Sequence, residues 1–255
     1  MIRTAMTIIM SLFIVYGVLC LLLYFFQRSL IYFPQPETKV DRTDVINIAV
    51  DSINLNIIAA QCHNTGAIIY FGGNAENVGL SIPSLLAAFP DKAIYAMHYR
   101  GYGGSEGVPS EEALVKDALF LLDHIKKSHS DIIVIGRSLG SGIATQLANK
   151  RQVHRLILIT PFDSIQNIAT GRFPFFPIHL LLKDKFESWK YAQNIFTPTT
   201  IIIAEFDEVI PLRNSKNLLA SFPPGIAKLI VIPNTGHNSI SSNREYISAL
   251  RNQKI

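Results

Sequence analysis

Three side chains of the kind that transfer acyl groups follow one another along this 255-residue chain: Ser138, Asp207 and His237. Residues 136–140 read GRSLG, a G-x-S-x-G motif that leaves a β-branched run and enters the helical sequence SGIATQLANK. Where strand passes to helix in this way, the glycines permit a turn too sharp for side chains, and the serine is pushed out at the strand end. The helix N-terminus beneath it favours negative charge. A hydroxyl is a weak nucleophile, so Ser138 needs an adjacent base that is itself oriented by a carboxylate.

His237, in VIPNTGHNSI just past the last apolar run, is placed to be that base. The other six histidines (His63, His98, His124, His129, His154 and His179) have no such placement. None forms an H-x-H or H-E-x-x-H pattern, so no metal is expected, and no cofactor. The acid is expected at Asp207, in IIIAEFDEVIP just past a strand run. Asp163, in TPFDS, also follows a run, although with Ser164 it also reads as a helix cap. Glu205 and Glu208 would need a different loop shape.

Acyl transfer also needs backbone N–H groups aimed at the oxygen that becomes negative in the tetrahedral intermediate. Leu139, next after Ser138, would supply one. The second is expected from YFGGNAENVG, where Gly72 and Gly73 let the backbone approach a substrate closely and Asn74 is the chosen donor.

These residues require a scaffold that brings strand ends to one edge. Residues 45–50 and 53–60 read as a hairpin. Short β-branched runs bounded by Gly, Pro, Asp or Asn follow at 67–71, 93–97, 132–135, 156–160, 200–204 and 229–232. Helical patterns lie between them. In 111–127, Leu114, Ala118, Leu121, Leu122 and Ile125 recur at spacings of three and four, after Pro109, Ser110 and two glutamates that suit a helix start. Strand–helix alternation of this kind gives an α/β class, a mostly parallel sheet with helices on both faces. Ser138, Asp207 and His237 would then share its C-terminal edge.

The composition is apolar at 49%, with only 16% charged residues, and much of the excess lies at the front. Residues 5–26 contain no charge, Asn or Gln; about 20 such residues span a bilayer core as a helix. A secretory signal is shorter and ends in small residues, whereas this stretch runs on through three leucines, a tyrosine and two phenylalanines. A single-pass anchor is therefore expected at 1–27. Tyr24, Arg28 and Tyr32 are placed at its interface, with Arg28, Lys39 and Arg42 following on one side and Arg3 on the other. Residues 28–44, with Pro34 and Pro36, are expected to be a stiff spacer holding a catalytic domain, 45–255, off the membrane. The net charge of +4 has no run of Lys or Arg behind it, which argues against nucleic acid as a partner. Cys20 and Cys62, one in the anchor and one beyond it, are not expected to pair.

Taken together, these residues resemble the membrane-anchored branch of the α/β-hydrolase superfamily. Its members carry an N-terminal hydrophobic helix, a His-Gly-Asn-Ala loop, a Tyr-Arg-Gly-Tyr-Gly-x-Ser-x-Gly segment and a Ser-Asp-His triad. GGNAENV at 72–78, YRGYGGSEGVPSEE at 99–112, GRSLGSGIA at 136–144, FDEVIP at 206–211 and GHN at 236–238 match that pattern. Gly72 stands where the family has His, a change that would loosen or re-aim the loop, and His98 stands where it has Asp. The resemblance implies the α/β-hydrolase fold with a cap insertion, here about 162–198. Arg100 and Tyr102 are expected to have structural roles only. It further implies a serine hydrolase for an ester or thioester with an apolar acyl group, with a small-molecule or lipid substrate and membrane lipid as partners. A peptidase or amidase would use the same triad, and a non-enzymatic membrane-bound scaffold would keep the fold alone. The insertion is rich in aromatics (Phe173, Phe175, Phe176, Phe186 and Trp189), which suit either a lid over an acyl pocket or plain core.

Overall fold

The computed structural model describes residues 2–36 and 43–252. Lys39 and Arg42, expected beside the membrane, lie outside the described residues. All eight apolar runs are strands: β1 (Asp44–Val50), β2 (Ile53–Ala60), β3 (Gly66–Phe71), β4 (Lys92–Met97), β5 (Asp131–Arg137), β6 (Arg155–Ile159), β7 (Thr199–Ala204) and β8 (Ala227–Ile232). They form one sheet in the order β1-β2-β4-β3-β5-β6-β7-β8. The hairpin β1–β2 and the pair β2–β4 are antiparallel, and every other neighbouring pair is parallel.

Strand residues alternate between two cores, as the two-residue period of a strand requires. Along β3, Ala67, Ile69 and Phe71 join the core on one face, and Ile68 and Tyr70 join the core on the other. The first core is covered by α3 (Glu111–Ile125), α4 (Leu139–Lys150) and α8 (Leu212–Ser221). The second is covered by α2 (Ile82–Ala88) and α9 (Glu245–Arg251). Helix α3 buries the expected stripe of Leu114, Ala118, Leu121, Leu122 and Ile125, and the Ser110 hydroxyl caps it by accepting from the Ala113 N–H at 3.2 Å. Such a cap contributes about 1 kcal/mol.

The strand order reverses at β3. The chain leaves β3 for β4 on one side and returns as β5 on the other, so the loops after β3 and β5 diverge. Open α/β sheets place their ligand crevices at the carboxyl ends of strands at such a point.

The insertion between β6 and β7 carries three short helices, α5 (Ile165–Arg172), α6 (Ile178–Leu181) and α7 (Ser188–Ala192). Of its aromatics, Phe186 is wholly buried in the core, whereas Phe173 and Phe175 are exposed.

At the front, α1 (Ile2–Ile31) is the one helix among the described residues long and apolar enough to cross a membrane, with a mean hydropathy of 2.6 over its most apolar window. It continues past residue 27 and docks on the insertion. The buried Gln27 side chain donates to the Leu181 carbonyl at 2.9 Å and accepts from the Lys183 N–H at 2.5 Å. Arg28 pairs with Asp184 at 3.0 Å, and the Tyr32 hydroxyl donates to the same carboxylate at 3.0 Å. Of the segment 28–44 expected to stand off as a spacer, 37–42 lie outside the described residues, and 28–36 instead run along the domain. The Phe33 N–H is 2.9 Å from both Asn74 Oδ1 and the Tyr102 hydroxyl, and the Gln35 carbonyl accepts from the Gly103 N–H at 2.8 Å. Proline stiffness predicted an extended course but says nothing of what that course lies against.

Candidate active site

Ser138 follows directly on β5 and adopts φ 48°, ψ −115°, a conformation rare for a residue with a side chain. The turn is held from both sides. The Ser138 N–H donates to the Ile159 carbonyl at 2.9 Å and the Gly140 N–H to the Gly72 carbonyl at 3.1 Å. A Cβ at Gly136 would collide with the Gly140 carbonyl, and one at Gly140 with that of Phe71. Both motif glycines are thus fixed by close backbone approach.

The structure brings Ser138, His237 and Asp207 together. His237 Nε2 lies 3.0 Å from Ser138 Oγ, and His237 Nδ1 lies 3.0 and 2.9 Å from the two Asp207 carboxylate oxygens. These contacts assign the ring proton to Nδ1, leaving Nε2 to accept from the hydroxyl. Asp207 is itself fixed, with Oδ1 accepting from the Val209 and Ile210 N–H groups at 2.9 and 2.7 Å. Asp163 is not part of this line. Its carboxylate is buried in a separate knot, accepting from Ser164 N–H and the side-chain amides of Asn167, Asn214 and Asn217 at 2.7–3.2 Å.

Leu139 and Asn74 both line the cleft beside Ser138. Leu139 is the first residue of α4, so its N–H belongs to the set a helix start leaves without an internal acceptor. In the β3 loop, Gly73 N–H is committed to Glu76 Oε2 at 2.6 Å, and the Asn74 side-chain oxygen is occupied by Phe33, Ala75 and Tyr102. The Asn74 N–H is therefore the loop donor that the geometry leaves for a ligand. Despite Gly72 in place of His, the loop is pinned: Gly72 carbonyl accepts from the Tyr99 hydroxyl at 2.6 Å. His98 is buried with its ring over Gly103. Arg100 makes a bidentate pair with the buried Asp117, both contacts at 2.7 Å, away from the cleft.

Three supporting residues had no assigned role in the sequence reading. Glu76 receives Tyr70 and Ser81 hydroxyls (2.6 and 2.7 Å) as well as Gly73, and Arg137 stands 3.4 Å from it. Arg137 in turn donates to the His237 carbonyl at 3.3 Å. Burial works against charge on Arg137, but the Glu76 carboxylate holds its proton above the ordinary arginine range. Glu208 accepts from the His237 N–H at 2.9 Å, which holds its carboxyl below the usual range. The available signals were local: an acid three residues past a glycine turn for Glu76, and a charge inside a buried-strand motif for Arg137.

Above Ser138 lies an open cleft of about 420 Å³. Its floor is Ser138, Leu139 and Asn74, and one wall comes from the insertion, including Phe162, Ile168, Phe173 and Ile178. The opposite wall is α1, through Leu23, Gln27, Leu30 and Ile31. Reading the sequence in segments could not anticipate this, because nothing local to α1 marks its last turns as pocket lining.

Comparison with known proteins agrees with the fold. Residues 64–190 match the hydrolase family described as serine aminopeptidase, S33. An uncharacterized Mycobacterium tuberculosis protein is 27% identical over 242 residues, 88% of this chain and 86% of the relative. A putative alpha/beta hydrolase of Acanthamoeba polyphaga mimivirus is 31% identical over 182 residues, 68% of this chain and 67% of its own. The lysophosphatidylserine lipase ABHD12 of Danio rerio is 31% identical over 176 residues, 59% of this chain but only 46% of that protein. Among solved structures, the Butyrivibrio proteoclasticus protein Est1E with ferulic acid bound superposes with a TM-score of 0.67 at 19% identity, covering 81% of this chain and 96% of that one. The sheet order, the loops at its reversal and these relatives converge, and the chain belongs to the α/β-hydrolase superfamily.

Proposed function

We propose that the protein is a serine hydrolase that cleaves an ester or thioester of an apolar acyl group through an acyl-enzyme, working at a membrane to which α1 anchors it by a single pass. The observation that carries this is the Ser138–His237–Asp207 line opening into a mainly apolar cleft. Ser138 Oγ attacks the acyl carbonyl while its proton passes to His237 Nε2, and Asp207 stabilises the imidazolium through Nδ1–H. The Leu139 and Asn74 N–H groups receive the oxyanion, each such donor being worth about 10²–10³ in rate. His237 then protonates the leaving alcohol or thiol, and a water deprotonated by the same ring releases the acid from Ser138.

An aminopeptidase or amidase would share these steps. What favours an acyl ester is the lining: among the described residues around the cleft there is no Asp or Glu to hold a peptide ammonium group. A single-chain lipid ester, the kind of substrate named for the zebrafish relative, suits such walls.

The test is labelling of the full-length protein in detergent with a fluorophosphonate, followed by peptide mass spectrometry. The adduct is expected on Ser138, and Ser138→Ala is expected to lose labelling together with about 10⁴-fold or more of the ester turnover. An adduct on Ser141 or Ser105 would overturn the assignment, and an unlabelled wild type would leave the scaffold as the better reading.

A further inference from the structure

The exposed aromatic loop of the insertion lies beside the middle of α1. The Tyr16 ring stacks on Phe176 with centroids 5.7 Å apart, and the Tyr16 hydroxyl donates to the Phe175 carbonyl at 2.9 Å. Tyr16 is near the centre of the charge-free stretch 5–26. Eight residues later, Lys183 sits 4.0 Å over the Tyr24 ring, and beyond that Arg28 pairs with Asp184. Aromatic rings and long cations of this kind mark the headgroup level. At a rise of 1.5 Å per residue, Tyr16 and the loop tip lie about 12 Å deeper. That depth is within one leaflet of a hydrocarbon core about 30 Å thick.

We propose that residues 173–180 are a second membrane-embedded element, inserted into the leaflet beside α1, so that the cleft above Ser138 takes its acyl chain sideways from lipid. The proposal rests on reading α1 as a membrane span and deepens it. The exposed apolar side chains suit hydrocarbon, with His179 the one titratable residue among them: Phe175 is 86% exposed and Leu180 71% exposed, with Phe173 half-exposed. The backbone suits it too. A loop in lipid cannot leave its N–H groups to water. Here Pro174 and Pro177 have none, Phe173, Phe176, Ile178, Leu180 and Leu181 donate to carbonyls within the loop or to Ala169, and Phe175 and His179 alone in 173–180 have N–H groups without such an acceptor. The Tyr16–Phe175 bond satisfies a hydroxyl and a carbonyl that would both be costly in lipid. Phe173, Ile178 and Leu181 line the cleft together with Leu23 of α1, so helix and loop both bound the path proposed for the acyl chain.

The experiment uses the full-length protein in phosphatidylcholine–phosphatidylglycerol vesicles. Trp189 is the chain's only tryptophan, so each probe is introduced into a Trp189→Phe background: Phe175→Trp, Val15→Trp in α1 and Phe196→Trp on an exposed part of the domain. Replacement of the lipid by one brominated along its acyl chains is expected to remove most of the emission of the Phe175→Trp and Val15→Trp proteins and to spare Phe196→Trp. Quenching of Val15→Trp without Phe175→Trp would overturn the loop insertion and leave the anchor standing. Quenching of neither would overturn both, and equal quenching of all three would refute a loop-specific insertion. As the functional arm, Phe175→Ser is expected to slow hydrolysis of a vesicle-embedded long-chain ester several-fold while sparing a short water-soluble ester. Equal rates on the embedded ester would refute entry from lipid.

Discussion

The two sides of the cleft are built by different physics. On the sheet side, Ser138, Asp207 and His237 follow β5, β7 and β8, and each is held by a bond to or from the main chain: Ser138 N–H to the Ile159 carbonyl, Val209 and Ile210 N–H to Asp207, and the His237 N–H and carbonyl to Glu208 and Arg137. On the other side, α1 and the insertion meet through long-range side-chain bonds: Gln27 to Leu181, Arg28 and Tyr32 to Asp184, Tyr16 to Phe175. The sheet side fixes atoms to within the tolerance of proton transfer. The α1 side carries no atom of the triad and shapes what can reach it. The chemistry is thereby separated from its access, and changes on the two sides should fail in different ways.

The sharpest division is between two acids that both follow strands. Asp207→Asn is expected to reduce kcat by about 10³–10⁴-fold with little loss of stability, because the imidazole would be held in the wrong tautomer. Asp163→Asn should do the reverse, sparing kcat while removing about 1–3 kcal/mol, a few degrees in Tm, as its buried amide donors lose their acceptor. Measuring kcat and Tm for both variants on one soluble ester decides it. A larger kcat loss in the Asp163 variant would place the orienting acid after β6.

What was legible in the sequence follows the same line. The eight strands, the elbow at Ser138 and the positions of Asp207 and His237 could be read because each depends on local pattern: β-branched runs, glycines where backbones touch, polar residues just past a strand. Asp163 is ambiguous in sequence because a cap and a catalytic acid look alike there; the structure sets its carboxylate among four donors, apart from the line through His237. Residues 28–36 read as a free spacer because their partners, Asn74, Tyr102 and Asp184, lie 41 to 156 positions away. Gln27 is a similar case: it closes the anchor expected at 1–27, and nothing near it in sequence points to its bonds with Leu181 and Lys183.

A smaller effect is expected where the sheet side supports the loop after β3, the proposed oxyanion donor. Glu76 faces only donors: Gly73 N–H, the hydroxyls of Tyr70 and Ser81, and Arg137. Glu76→Gln turns an amide N–H₂ toward that set and frees Gly73, so the Asn74 N–H loses its aim. A fall in kcat of about 10–100-fold is expected, less than the loss of a donor outright. KM for a short ester should stay near its wild-type value, since the acyl walls are untouched. A variant that raises KM and spares kcat would show that the loop binds substrate in its ground state instead.

The smallest expected effect tests whether α1 is a wall of the site or only its tether. A chain beginning at Gln27 keeps Gln27, Leu30 and Ile31 in the cleft and keeps the bonds to Leu181 and Asp184, losing only Leu23 from the wall. A chain beginning at Pro34 loses them all, together with the Phe33 bond to Asn74. The second chain leaves the buried Asp184 without Arg28 and Tyr32, so its Tm should fall; raw rates would confuse stability with binding. The discriminating quantity is therefore a ratio, kcat/KM for an octanoyl ester over that for an acetyl ester of the same alcohol. A change in the folded fraction cancels in this ratio, whereas a missing acyl wall does not. Starting at Gln27 should leave the ratio near that of the full-length protein. Starting at Pro34 should lower it about tenfold, equivalent to about 1.4 kcal/mol of lost apolar contact with the longer chain. The same ratio in both shortened chains and the full-length protein would mean that the insertion alone holds the acyl group, and that α1 meets the domain only to fasten it.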